Sequence, residues 1–291
     1  MSNHDSYEKG EKGSFVSVLV NGALFIFKIF AGVAGHSNAM VADALDTFGD
    51  VMTSGGMIVG FKIAKKPADE EHPYGHGKAE SIIAKLLAIF LIALGVKVAY
   101  NSVHAMLFIK TYVPGRIALV AAVVSIAVKF GLFRYMNLLG KKISSTSMVV
   151  YSWNIATDVF SSLVALIGIA GARLGYTLLD PIAGLILSVF VIRTGAVAFH
   201  RAYDELMDAA PSKAVIGGIR AIAMKNRDVK AIKDVKVRKM GLDLMIDMTI
   251  DVDKDMTVDK GHHVTDVVRK DILKKVQNAK DVFIHVEPFK K

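Results

Sequence analysis

The stretch AESIIAKLLAIFLIALGVKVAYNSVHAMLF, residues Ala79–Phe108, decides the fold. It is longer than the ~20 residues a helix needs to cross a bilayer core of roughly 30 Å. Lipid offers no partner to backbone N–H and C=O groups, so a spanning segment closes its own hydrogen bonds as a helix, and this one is too long for a barrel strand. Outward from it lie five further apolar runs: Ser14–Gly35, Ala39–Ile63, Arg116–Leu139, Met148–Leu174 and Pro181–Ala202. Short polar breaks separate them. The reading is a multi-pass α-helical membrane protein with six transmembrane helices.

Composition agrees. Of 291 residues, 53% are hydrophobic and 22% charged, and the mean hydropathy is +0.42. Such a chain lacks the polar surface of a soluble enzyme and is neither disordered nor fibrous. With 0 Cys there are no disulfides, thiolate metal sites or thiol nucleophiles. Any metal is held by oxygen and imidazole nitrogen. The formal charge of +9 reads as Lys and Arg anchoring loops at a membrane, with no nucleic acid as partner.

Basic residues near the helix ends set orientation. Lys62, Lys65, Lys66 and Lys78 lie between the second and third helices, Arg134, Lys141 and Lys142 between the fourth and fifth, and Lys9 and Lys12 precede the first. The other side has Lys110, Arg116 and Arg173. Both termini are expected in the cytoplasm. Residues 1–13 read as a polar cytoplasmic tail without a signal-peptide pattern, so the first helix is expected to be retained. The expected organisation is tail 1–13, transmembrane domain 14–203, linker 204–210 and cytoplasmic domain 211–291. In the last, helix Lys213–Lys225, strands Lys233–Lys239 and Leu242–Asp251, helix Val258–Val276 and strand Val282–Val286 suggest a small two-layer α+β domain, ferredoxin-like but short of one strand.

The chemistry lies in carboxylates at membrane depth. Asp46 and Asp50 are four apart in the second span, and Asn154 and Asp158 four apart in the fifth. That spacing stacks each pair on one helix face. Ionisable groups in hydrocarbon are costly and mark an ion path or cavity, whereas a single polar residue would read as interhelical glue. Paired carboxylates repel, and a divalent cation compensates directly. Asp43 sits nearer the helix start and reads equally as a polar terminal residue or a functional one. Lys28 and Lys97 read as snorkelling lysines. Lys129 and Arg193, nearer mid-span, have no assigned role. In the loop KKPADEEHPYGHGKAE, Lys65–Glu80, the residues Asp69, His72 and His76 have the spacing of a local chelate, with a solvated acidic loop as the alternative.

These residues together carry a family resemblance. ADALDTFGD (42–50), PADEEHPYGHGKAE (67–80), NIATD (154–158), Asp180–Pro181, GHH (261–263) and FIHVEP (283–288) resemble the cation diffusion facilitator family over almost the whole chain. The resemblance implies a homodimeric exporter of divalent cations with six membrane helices and a cytoplasmic ferredoxin-like domain, exchanging metal for protons. It implies no enzyme activity and no cofactor beyond the transported or regulatory ion. Carried over by position, Asp46, Asp50, Asn154 and Asp158 form the transport site, and Asp69, His72 and His76 a cytoplasmic loop site. His262, His285 and Glu287 remain of a C-terminal site, whose other positions are Lys233 and Thr249 here. Zinc-transporting members usually carry His where this chain has Asn154; an Asn-Asp pair resembles the manganese-exporting branch. Oxygen donors suit harder ions, so Mn(II) is favoured, with Zn(II), Fe(II) and Co(II) open. Lys78 is either a snorkelling lysine or, by resemblance, the partner of Asp208. The expected location is a bacterial or archaeal cell membrane. Rival readings are a non-transporting membrane metal sensor or scaffold, an intramembrane hydrolase and a passive channel.

Overall fold

The computed structural model describes residues 3–64, 66, 68–108, 113–142, 146–240 and 243–289; the side chains of 3–12, 14, 53–64, 146–148 and 150 are not described. Lys65 and Lys110, and the side chains of Lys9, Lys12 and Lys62, on which the orientation reading drew, lie outside the described residues. Six long helices come first: α1 Asn3–Ala34, α2 Asn38–Ala64, α3 Ala79–Phe108, α4 Arg116–Lys142, α5 Thr146–Arg173 and α6 Leu179–Leu206. Then follow α7 Lys213–Ala223, β1 Ala231–Met240, β2 Asp243–Val252, α8 Val258–Lys275 and β3 Ala279–Pro288. Helix α1 starts at Asn3, so most of the expected polar tail is helical. Helix α6 continues to Leu206, into the expected linker.

Among the described residues, five helices are long and apolar enough to cross a membrane: α1 over Phe15–Ala34, α3, α4, α5 over Tyr151–Arg173, and α6. Of helix α2, only Asn38–Met52 has described side chains, and this stretch carries Asp43, Asp46 and Asp50. The chain is a multi-pass membrane protein. Its first helix shows how such a chain inverts soluble patterning. Phe15, Leu19, Ile26 and Phe30 are exposed, while Ser17, Asn21 and Lys28 are buried. Turning polar groups inward, toward partners on other helices, leaves apolar side chains for lipid. Small residues let α5 and α6 approach closely: a Cβ on Gly168 would lie 2.4 Å from that of Ala183.

The contacts divide the chain into two compact units. One comprises Met1–Ile58 and Leu86–Phe199; the other comprises Val59–Lys85 and His200–Lys291. The second therefore takes in the ends of α2, α3 and α6 and the loop between α2 and α3. Its sheet runs in the order β1-β2-β3. β1 and β2 pair antiparallel with Val237 opposite Ile246, and β2 and β3 pair parallel with Ile246 opposite Val282. The parallel pair needs a crossover, which α8 supplies. Leu244, Ile246, Met248 and Ile250 alternate inward on β2 and meet Val264, Val268 and Ile272 of α8. Thr257 caps α8 by accepting a hydrogen bond from the Lys260 N–H at 3.3 Å.

Candidate metal centres

The first unit places α4 against α5 and α1. This draws two ion-pair groups into its interior. In the first, the Lys28 ammonium is 2.7 Å from Asp43 Oδ2, with both side chains fully buried. Lys28 also donates to Thr47 Oγ1 at 3.0 Å and Ser162 Oγ at 3.2 Å. The Ser162 hydroxyl donates to Asp43 Oδ1 at 3.0 Å. Every charge here has a fitted partner. Asp43 is thus a buried ion-pair residue, not a polar residue near water, and Lys28 points inward instead of snorkelling.

The second group gathers Asp46 and Asp50 from α2 and Asp158 from α5 around Lys129 of α4. The Lys129 ammonium, itself fully buried, lies 3.1 Å from Asp158 Oδ2 and 3.5 Å from Asp50 Oδ2. The Asp50 and Asp158 carboxyls are within hydrogen-bond reach of one another, and Asp46 hydrogen-bonds Ser161. Asp50 is about a third exposed (34%) and Asp158 17% exposed, while Asp50 Oδ2 is buried. The three carboxylates come from two helices, and their oxygens do not all lie within 4.8 Å of one another. Asn154 is exposed, and no described contact brings its amide to the three carboxylates. Sequence reading left Lys129 without a role; its spacing of four from buried Ser125 was the available sign that this face of α4 turns inward. Arg193 of α6 is exposed.

The loop between α2 and α3 presents a separate cluster. Ligand atoms of Asp69, His72 and His76 lie within 4.8 Å of one another, the one such three-residue group among the described residues. Local backbone shapes it. The His72 N–H donates to Asp69 Oδ1 at 2.8 Å. The Gly75 N–H donates to the His72 carbonyl at 2.9 Å, and Gly75 has φ +87°, where glycine is unstrained. The Asp69 carboxyl is held down at about 2, first by the Lys66 ammonium hydrogen-bonded to it and next by the His72 N–H. His76 Nε2 is 3.5 Å from Asp69 Oδ2. The His76 Nδ1 atom is buried without a partner among the described residues. The three residues lie in ligating geometry needing only a small closure to reach metal–ligand distances.

Beside the loop, Lys78 pairs with Asp208 at 3.0 Å, where it was also open to reading as a snorkelling lysine. Arg238 Nη1 approaches the same carboxylate at 3.8 Å. Gly77 packs so closely that a Cβ there would be 2.7 Å from the Met240 carbonyl oxygen.

The C-terminal candidates do not converge within one chain. His262 faces Asp266 at 3.8 Å on its own helix. His285 is 3.8 Å from Glu287. Glu287 is taken by the Lys233 ammonium, which also lies 3.7 Å from Asp251. Hydrogen bonding to Glu287 pushes the Lys233 ammonium above its ordinary range. The Glu287 carboxylate is thus ion-paired with a lysine. His262 and Glu287 do line one groove of about 520 Å³ between α8 and β3.

Residues 14–207 match the family profile described as the cation efflux transmembrane domain, and residues 211–289 that of the cation efflux protein cytoplasmic domain. Metal tolerance protein C1 of Arabidopsis thaliana is 32% identical over 98% of this chain, which spans 64% of that relative's length. The uncharacterized transporter YdbO of Bacillus subtilis is 31% identical over 99% of both chains. The manganese efflux system protein MneP of the same organism is 29% identical over 96% of both.

Proposed function

The chain belongs to the cation diffusion facilitator family of divalent metal cation efflux transporters, and from that premise we propose that it exports Mn(II) in exchange for protons through Asp46, Asp50 and Asp158. The observation that carries this reading is the gathering of three carboxylates from α2 and α5 around one buried lysine in the membrane unit, close enough to interact electrostatically. No imidazole joins them among the described residues, and an all-oxygen shell suits a hard ion. A manganese efflux protein among the relatives supports the choice. Zn(II), Fe(II) and Co(II) are the competitors, since the intrinsic affinity order favours zinc over manganese at any such site.

Transport proceeds by alternating access. The group opens to one side, takes the ion and reopens to the other. Metal and protons compete for the same carboxylate oxygens, so binding one expels the other and couples the two fluxes. Asn154, one turn from Asp158, is the further ligand suggested by spacing, and it joins only if α5 turns as the ion binds. Asp69, His72 and His76 capture metal at the cytoplasmic loop. The chain works as a homodimer with both termini cytoplasmic, its cytoplasmic domain giving the dimer contact.

The test is flux into proteoliposomes across Mn, Fe, Co and Zn, with and without an imposed pH gradient. Mn(II) flux driven by the gradient and abolished by Asp50→Asn or Asp158→Asn supports the reading. Flux indifferent to the gradient removes the exchange, and full flux in those variants removes the site. Asn154→His is expected to shift preference toward zinc; unchanged selectivity excludes Asn154 as a ligand.

A further inference from the structure

Among the described residues two lysines are fully buried in the membrane unit, and they are held in opposite ways. Lys28 has a carboxylate and two hydroxyls in hydrogen-bond geometry. Lys129 has close charges but no hydrogen bond fitted to its ammonium among the described residues, and Asp50 Oδ2 is likewise without one. A buried ammonium with well-formed bonds is a fixed strut. One held by charge alone, among three carboxylates of which Asp50 is partly exposed, is free to leave when a stronger cation arrives. Its side chain is a flexible four-carbon stem carrying a point charge, able to swing without unfolding the helix.

We propose that Lys129 is a tethered cation of the transport site: its ammonium holds Asp50 and Asp158 together when no metal is bound, and the arriving divalent ion displaces it. This rests on reading Asp46, Asp50 and Asp158 as the transport ligands. With the ammonium in place the three carboxylates keep a formal net charge of −2, which draws a divalent ion in; once that ion displaces the ammonium the group stands at −1, so the lysine is still attracted back. Lys129 therefore acts as a release-promoting residue. It keeps the site from binding metal too tightly to let go, because its return to the carboxylates competes with the ion during release. It touches the ligands rather than the ion.

The experiment is metal flux in proteoliposomes with Lys129→Gln, using whichever metal of the panel the wild-type chain carries fastest. Loss of the competing charge is expected to lower KM about tenfold or more and to lower the maximal rate, since release now lacks its competitor. An unchanged or raised KM in folded Lys129→Gln overturns the proposal. Lys129→Arg retains the charge and is expected to keep KM within about threefold of wild type. Should Lys129→Gln fail to fold, the wild-type chain decides: cryo-electron microscopy with and without bound metal is expected to show the ammonium leaving salt-bridge distance of both carboxylates on loading. An ammonium still bridging Asp50 and Asp158 in the metal-loaded protein overturns it. Asp158→Asn run in parallel separates the two readings. Full flux there removes the transport site and this proposal with it, whereas abolished flux with a wild-type KM in Lys129→Gln removes only the tethered cation.

Discussion

Replacing Asp43 by Asn is the most informative perturbation of the membrane unit. The Lys28–Asp43 pair is 2.7 Å apart with both side chains fully buried. At an effective permittivity of about 20, unit charges at that distance attract by about 6 kcal/mol (332 divided by 20 × 2.7). Desolvating two ions costs several kcal/mol each, so the intact pair contributes little net stability. The asymmetry appears when one partner goes. Asp43→Asn keeps an oxygen for the Ser162 hydroxyl but leaves the Lys28 ammonium uncompensated among Thr47 and Ser162. The expected loss is about 3–5 kcal/mol. Equilibrium unfolding in mixed detergent, followed through Trp153, measures it. Adding Lys28→Met to Asp43→Asn removes the stranded charge and is expected to recover all but about 1–2 kcal/mol. The reasoning is refuted if Asp43→Asn unfolds within about 0.5 kcal/mol of wild type, or if the double variant is as unstable as the sum of the singles.

Three further outcomes are expected. Gly77→Ala places a Cβ 2.7 Å from the Met240 carbonyl oxygen; backbone atoms cannot yield cheaply, and a loss of about 1–3 kcal/mol in the unfolding of the full chain is expected, with a wild-type transition contradicting it. Lys66→Ala removes the main cause of the low Asp69 value of about 2. Because the folded value is depressed, the stability linked to it is present above the unfolded value of about 3.9 and lost as pH falls toward 2. Isotope-edited NMR of the Asp69 carboxyl therefore finds it ionised throughout pH 4–8 in the wild type and titrating higher in Lys66→Ala; an unmoved midpoint contradicts the assignment. With the Lys233 ammonium already on Glu287, a chelator is expected to leave the proteolytic protection of α8 and β3 unchanged, and marked loss of protection would reveal a structural metal there.

Apolar run length made the spans legible, and alternation along β2 with helical spacing along α8 made the cytoplasmic layers legible. Asp46, Asp50 and Asp158 stood out because carboxylates at membrane depth are costly, Asp46 lying one turn from Asp50 and Asp158 one turn from Asn154. Lys28 and Lys129 did not, for a physical reason: a lysine in an apolar run has a stem long enough to reach either interface, so run length says nothing of its direction. The available sign was periodicity. Ser17, Asn21 and Lys28 fall on one stripe of α1, and Ser125 precedes Lys129 by one turn on α4. Their partners come from other helices, 15 residues away for Lys28 and 29 for Asp158, and only packing brings these together. Asn154 is the converse case: it is exposed, and no described contact brings its amide to the three carboxylates. Spacing by four aligns it with Asp158, yet the lateral position of a side chain on the helix still decides which of the two meets α2.

Anomalous scattering from Mn(II) bound to the full-length protein tests the central claim most directly. One membrane-embedded ion is expected with oxygens of Asp46, Asp50 and Asp158 in its coordination shell, and its peak is expected to vanish in Asp50→Asn. A manganese ion seated elsewhere in the membrane unit, or a peak that survives the loss of Asp50, would contradict the account.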